Sequence, residues 1–272
     1  MDTTTDLRVR MVEDHYVSVM RTLTSSTSSI VRRLPDEDVL GYVSDIPFPL
    51  FSGAVAPSFA PGSEVRRAEE VLRVLSANGQ PFQWWAGPRT RSPAIEDLLS
   101  ARGLVTGGLT PGMHADLAAV DLTSQHGAVG EVGEVAEVGV TVCATEGEWL
   151  AANRVFVEAF ELPGQLLDVF TRVWRDVPGL VQLVARLEGE PVGCAAGVAL
   201  DGVMGVYNVG TVEAARRRGV GRALTAAMMR IGRDQGCHSA ILHASELGYP
   251  VYESLGFDHV TDVSQYVWLP PS

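Results

Sequence analysis

The residues best suited to chemistry in this 272-residue chain follow Val206. Arg216-Arg217-Arg218-Gly219-Val220-Gly221-Arg222 sets two glycines among four arginines. An apolar repeat at helical spacing (Val220, Leu224, Ala227, Met228, Ile231) begins in the same place. Gly219 and Gly221 carry no β-carbon, so the backbone can turn its amides into one concavity and admit an anion closely. The helix would aim its unpaired N–H groups and positive dipole end at that point. The expected guest is a phosphate or pyrophosphate. A Walker A loop needs a lysine, and the chain has none. A dinucleotide fingerprint needs a third glycine where Leu224 stands. The pattern R-x-x-G-x-G fits Arg216 to Gly221 fully.

That pattern resembles the pyrophosphate loop of the GNAT superfamily of N-acetyltransferases. The resemblance covers about residues 138 to 269. It implies acetyl-CoA as cofactor, with the diphosphate held by Arg216, Arg217, Arg218, Gly219, Val220, Gly221 and Arg222. It also implies a bulged strand over Val206–Val212, where main-chain groups of Val209, Gly210 and Thr211 meet the pantetheine arm and acetyl carbonyl. Gly210 is a sensible place for that bulge. The segment Tyr252-Glu253-Ser254-Leu255-Gly256-Phe257 resembles the family's Y-x-x-L-G-F, which makes Tyr252 the general acid. A phenol of ordinary pKa ~10 is protonated at neutral pH and can donate to a thiolate of ~8.5. Tyr249 is the adjacent alternative. Ser245 stands where many relatives carry a cofactor-contacting asparagine, and Glu213 where the family often has proline. No glutamate matches the base of some relatives, so Glu158, Glu161, His243 and water-mediated deprotonation stay open.

The elements that must position these residues follow from periodicity. Val138–Cys143 reads as a strand, Glu146–Phe160 and Gln165–Trp174 as helices, and Leu180–Leu187 and Val192–Leu200 as strands. Asp201-Gly202 is a hairpin turn into the Val206 strand. After the loop-helix, which Gly236 ends, come a strand at Ser239–Ala244, a short helix at Pro250–Leu255 and a strand at Val263–Leu269. In the first half the spacing predicts a helix over Leu7–Thr24, a polar loop at Ser25–Ser29 and short strands at Val39–Val43 and Leu50–Val55. A second short helix could begin at Ile30. A helix follows Pro61-Gly62, Gln80–Trp85 is strand-like, Pro93 opens another helix, and Met113–Leu117 is a closing strand.

The first half thus resembles a second GNAT copy without the coenzyme loop. The expected class is α/β (α+β), two GNAT-like domains each with a mixed, mainly antiparallel sheet flanked by helices. Residues 1–123 would be the degenerate copy, 124–137 a Gly-Glu-Val-rich linker and 138–272 the catalytic domain. The first copy would mimic the second subunit of a dimer and wall the acceptor cleft, giving a monomer with pseudo-dimeric domains. Trp84 and Trp85 read as core packing.

Composition sets outer bounds. A net charge of −12 argues against nucleic acid and suits a cationic amine substrate of small-molecule or peptide type. No apolar run approaches the ~20 residues that span a bilayer, and no secretory signal is visible, so a cytoplasmic protein without a membrane partner is expected. Cys143, Cys194 and Cys237 lack metal-ligand spacing and read as reduced, buried thiols, with no metal site. The function this predicts is acetyl-CoA-dependent N-acetylation. Its rivals are a non-catalytic acyl-CoA-binding module and a tandem GNAT of the mycothiol-synthase kind.

Overall fold

The computed structural model describes residues 3–26, 30–122 and 138–271. In chain order the elements are α1 (Thr3–Ser26), β1 (Val31–Arg33), β2 (Leu40–Ser44), β3 (Gly53–Val55), α2 (Glu64–Ala77), β4 (Phe82–Ala86), α3 (Pro93–Ala101) and β5 (Val105–Asp116). Then come β6 (Gly139–Val142), α4 (Glu146–Ala159), α5 (Leu167–Arg175), β7 (Leu180–Leu187), β8 (Glu190–Leu200) and β9 (Val203–Thr211). The last are α6 (Val220–Asp234), β10 (Ser239–His243), α7 (Tyr249–Glu253) and β11 (Asp258–Trp268). The class is mixed α/β, with mainly antiparallel strands flanked by helices. The proposed linker at 124–137 lies outside the described residues.

The chain forms two compact units that interleave in sequence. One comprises Met1–His15 with Met113–His259, the other Tyr16–Gly112 with Val260–Ser272. In the second unit β1, β2 and β3 form an antiparallel meander, β4 runs parallel to β3, and β11 pairs antiparallel with β4. The return from β3 to the parallel β4 passes through α2, as a parallel connection requires. Val71, Leu72 and Leu75 of α2 pack with Phe82, Trp84 and Ile95 in its core. Trp84 and Trp85 are both buried, Trp85 against the Tyr16 ring at 4.7 Å.

The first unit repeats that plan at greater length. β6, β7, β8 and β9 form an antiparallel meander, α6 crosses over, and β10 returns parallel to β9. Its tight turns are set by paired positive φ angles, Glu188 (54°) with Gly189 (87°) and Asp201 (50°) with Gly202 (76°). Such angles match the twist of the strands they join. α4 begins at a capping box in which Thr145 and Glu148 each satisfy the other's backbone.

The strands differ from expectation mainly at their ends. Ile30 is a turn residue ahead of β1 rather than the start of a helix, and the β-branched Val31 after it pairs with Ser44. β5 starts at Val105, well before Met113, and β11 at Asp258 rather than Val263. Both early stretches are largely exposed, so they lack the apolar alternation that marks a strand in sequence.

α6 lies close on β9. A β-carbon on Gly232 would meet Met204 Cβ at 2.7 Å and Cγ at 3.0 Å. Gly232→Ala should therefore lower stability by about 1–3 kcal/mol, although alanine favours the helix by about 1 kcal/mol. Urea denaturation decides it, and a raised midpoint would show that the contact is slack.

Candidate functional site

The loop ahead of α6 is built from main-chain turns of both hands. Arg217 has φ 62° and Gly219 φ 80°, both left-handed. Gly219 is the N-cap of α6 and contributes no side-chain cap. The carbonyl of Gly219 accepts from Ala223 N at 2.9 Å, which is where the helical ladder starts. Ahead of that bond the amides of Arg217, Arg218, Gly219, Val220, Gly221 and Arg222 have no backbone partner among the described residues. Unpaired amides at a helix start, with left-handed residues beside them, form a concave donor set for an anion.

The two glycines serve different needs. Gly219 holds a backbone angle that a side chain would strain. Gly221 does not: it is already helical, and a β-carbon there would have only Thr211 Oγ1 near it, at 3.9 Å. Nothing inside the protein demands a glycine at 221. The left-handed Arg217 had no signal in the sequence, since arginine rarely takes that region.

The arginines divide as well. Arg222 Nη1 donates to Ser254 Oγ at 2.5 Å, tying the start of α6 to the end of α7. Arg216 Nε donates to Thr211 O at 3.4 Å. Arg218 lies 3.9 Å from Glu188, both exposed, a pair of little energetic weight.

β9 opens beside this loop. Its parallel pairing with β10 ends at Val206 with Leu242. On the other side Tyr207 faces Ala196 and Gly210 faces Cys194, so Asn208 and Val209 together oppose Ala195. Asn208 takes φ 53°, which its short polar side chain tolerates. The bulge therefore sits at Asn208–Val209 and not at Gly210. Gly210 is small for another reason, since its β-carbon would meet Phe160 at 2.9 Å and Ala159 at 3.1 Å. The end of α4 rests on that spot.

Tyr252 is buried in the short helix α7, with its ring at 6.1 Å from Phe257. Burial pushes its phenol from 10 up to about 12. At neutral pH it stays protonated. The hydroxyl of Ser245 accepts from Gly248 N at 3.2 Å, so this side chain shapes the turn into α7. It is exposed and sits in the connection from β10 to Tyr252.

The candidate bases fare unequally. Glu158 and Glu161 are exposed at the end of α4. His243 closes β10, and burial, followed by the nearby His15, draws its pKa from 6.5 down to about 4. It is neutral at pH 7 but a weak base. All three cysteines are free and buried, and burial lifts Cys194 to about 12, which rules out a ready thiolate there. Among the described residues no helix is long and apolar enough to cross a membrane.

Residues 149–257 match the model of the acetyltransferase (GNAT) family. No curated protein matches the sequence. Among solved structures, the chain is similar to a GCN5-related N-acetyltransferase from Kribbella flavida at 20% identity and TM-score 0.67, covering 94% of this chain and 95% of that one. A GCN5-related N-acetyltransferase from Sphaerobacter thermophilus matches at 17% identity and TM-score 0.57, over 85% and 80% of the two chains. A tandem GNAT protein from the clavulanic acid biosynthesis pathway matches at 13% identity and TM-score 0.52, over 81% and 75%. At such identities the likeness is one of fold.

The His243 shift has a stability consequence. The unfolded chain takes up a proton on this imidazole near pH 6.5, the folded protein only near pH 4. Stability is thus complete above pH 6.5 and falls on acidification toward pH 4, by up to about 3 kcal/mol from this residue. His15 and His114, also lowered by burial, add in the same direction. Urea unfolding at pH 7 and pH 4.5 should show a smaller acid loss for His243→Asn than for the wild type; equal losses would remove His243 from this account.

Proposed function

We propose, from the premise that residues 149–257 are of the acetyltransferase (GNAT) family, that the protein transfers an acetyl group from acetyl-CoA to a primary amine of a small molecule or peptide. The observation that carries this is the run of unpartnered amides from Arg217 to Arg222, set in an R-x-x-G-x-G loop inside the matched segment. These amides, with Arg216, Arg217 and Arg218 around them, would hold the diphosphate of coenzyme A. The open space outside Gly221 fits a group that approaches the helix start closely. Arg222, committed to Ser254, acts by fixing the loop against the Tyr252 turn.

The cofactor supplies an activated acyl group as a thioester. The chain's own part is to bind it, to orient its carbonyl and to manage protons. Main-chain groups of Val209, Gly210 and Thr211, beyond the last β9–β10 pair, would face the pantetheine arm and carbonyl. The Tyr252 hydroxyl would donate to the departing sulfur. Ser245 contributes by shaping the turn that carries Tyr252. The repeated plan of the two units supports a tandem GNAT, in which the unit of Tyr16–Gly112 with Val260–Ser272 lacks a coenzyme loop and the unit of Met1–His15 with Met113–His259 carries it. One coenzyme site per chain and a monomeric state follow from that arrangement.

A non-catalytic acyl-CoA-binding role is the second reading. It draws on the exposure of Glu158 and Glu161 and on the lowered pKa of His243. Release of free thiol from acetyl-CoA in the presence of an amine panel separates the two.

Gly221→Leu tests the binding claim, since a β-carbon there has only Thr211 Oγ1 near it, at 3.9 Å. Calorimetry should find coenzyme A affinity reduced at least about tenfold, a loss of about 1.4 kcal/mol; unaltered affinity would move the diphosphate elsewhere. Tyr252→Phe should lower kcat by about 10²- to 10⁴-fold with the KM for acetyl-CoA nearly unchanged. Wild-type kcat in that variant would strip Tyr252 of its role.

A further inference from the structure

The unit of Tyr16–Gly112 with Val260–Ser272 holds a recess of its own, about 440 Å³ in volume. It lies at the carboxyl end of β3, where that strand's pairing with β4 finishes at Val55 and Trp85. Ala56 lines it and takes φ 48°, its N donating to Trp85 O at 3.2 Å. A residue with a β-carbon is disfavoured at that left-handed angle, so tertiary structure and not propensity turns the chain out here. In the repeated plan β3 holds the place of β9, since each runs into the helix that crosses over to a parallel neighbour. Pro61-Gly62-Ser63 leads into α2 where R-x-x-G-x-G leads into α6, so the donor cradle has no counterpart at this end.

The floor of the recess is apolar, with Val39, Leu40 and Val55 all buried. Its rim carries both signs: Arg21 from α1, Arg33 from the end of β1, and Asp36, Glu37 and Asp38 from the loop into β2. Two of these acids are already engaged. Arg67 Nη2 donates to Asp36 Oδ2 at 2.8 Å and to Asp38 Oδ2 at 3.4 Å, and Asp36 Oδ1 accepts from Asp38 N at 3.0 Å. Arg67 also holds Glu70, which Arg66 meets at 2.6 Å. Arg21, Arg33 and Glu37 are exposed, and their side chains have no hydrogen bond or ion pair among the described residues. Arg21, Arg33 and Arg67 thus match Asp36, Glu37 and Asp38 in number, and the groups left over are of both signs. Such a rim favours a guest of no net charge whose own two charges stand apart.

We infer that this recess binds a free α-amino acid with an apolar side chain. The carboxylate meets Arg21 and Arg33, whose planar N–H forks match that group. The ammonium meets Glu37, and the hydrocarbon side chain lies on Val39, Leu40 and Val55. The volume has room for such a molecule whole, being that of about 15 waters at ~30 Å³ each. It also falls within the range of roughly 300–1,000 Å³ usual for small-molecule sites. The inference stands apart from the acyl-transfer reading, because every residue it uses lies outside the segment 149–257.

The experiment titrates the full chain with L-phenylalanine, 3-phenylpropanoate and phenethylamine, which carry both charges, the carboxylate alone and the ammonium alone. Calorimetry should give phenylalanine a Kd on the order of 0.1–1 mM, and each half-probe should bind at least about tenfold more weakly. Methyl NMR should show shifts at Val39, Leu40 and Val55 as phenylalanine is added. Arg21→Ala and Arg33→Ala, both at exposed positions, should each weaken phenylalanine by about tenfold or more. Glu37→Gln keeps the size of the side chain and removes its charge. It should weaken phenylalanine by about tenfold while 3-phenylpropanoate stays within about twofold of its wild-type value. No heat and no methyl shift up to about 10 mM phenylalanine overturns the inference. So does a half-probe that binds as tightly as phenylalanine, or affinity unaltered in both arginine variants. Phenylalanine that binds but shifts only methyls away from this recess overturns it as well.

Discussion

The site depends on main-chain hydrogen bonds that the fold leaves unmade. A helix cannot satisfy its own first amides, and most proteins cover them with a capping side chain or water. α4 follows that habit, with Thr145 and Glu148 closing its start. α6 does not: Gly219 caps it with no side chain, and the amides from Arg217 to Arg222 stay without backbone partners. Leaving donors unpaired is tolerable only at a wet surface or against a ligand. The arginines on either side would suit an anion there.

The same economy governs β9. Once its ladder with β10 ends at Val206, the strand is held on one side by β8, and the bulge at Asn208–Val209 turns its main chain out of register. Two contacts from outside the sheet reach this strand: the end of α4 lies on Gly210, and His15 of α1 holds the Tyr207 hydroxyl. The opening is thus built by the tertiary fold and not by local propensity.

This explains what the sequence disclosed and what it hid. The R-x-x-G-x-G loop, the Tyr252 segment and the order of helices and strands around them were legible, because each rests on local spacing. The two-residue turn at Asp201-Gly202 was legible for the same reason. The bulge was expected at Gly210, where the residue type suggested it, and lies at Asn208–Val209. The glycine answers to a helix end packed over it, a long-range contact that composition does not encode. His15 carried no signal at all, since its partners on β8 and β9 are separated from it by most of the chain. The interleaving of the two units was hidden likewise, because the exposed early residues of β5 and β11 lack apolar alternation.

The most direct measurement is a crystal structure with coenzyme A bound. Diphosphate oxygens within hydrogen-bond distance of the nitrogens between Arg217 and Arg222, with the sulfur toward Tyr252, are the predicted result. A carrier seated away from the α6 start, with those nitrogens turned to solvent, would contradict the account at its root.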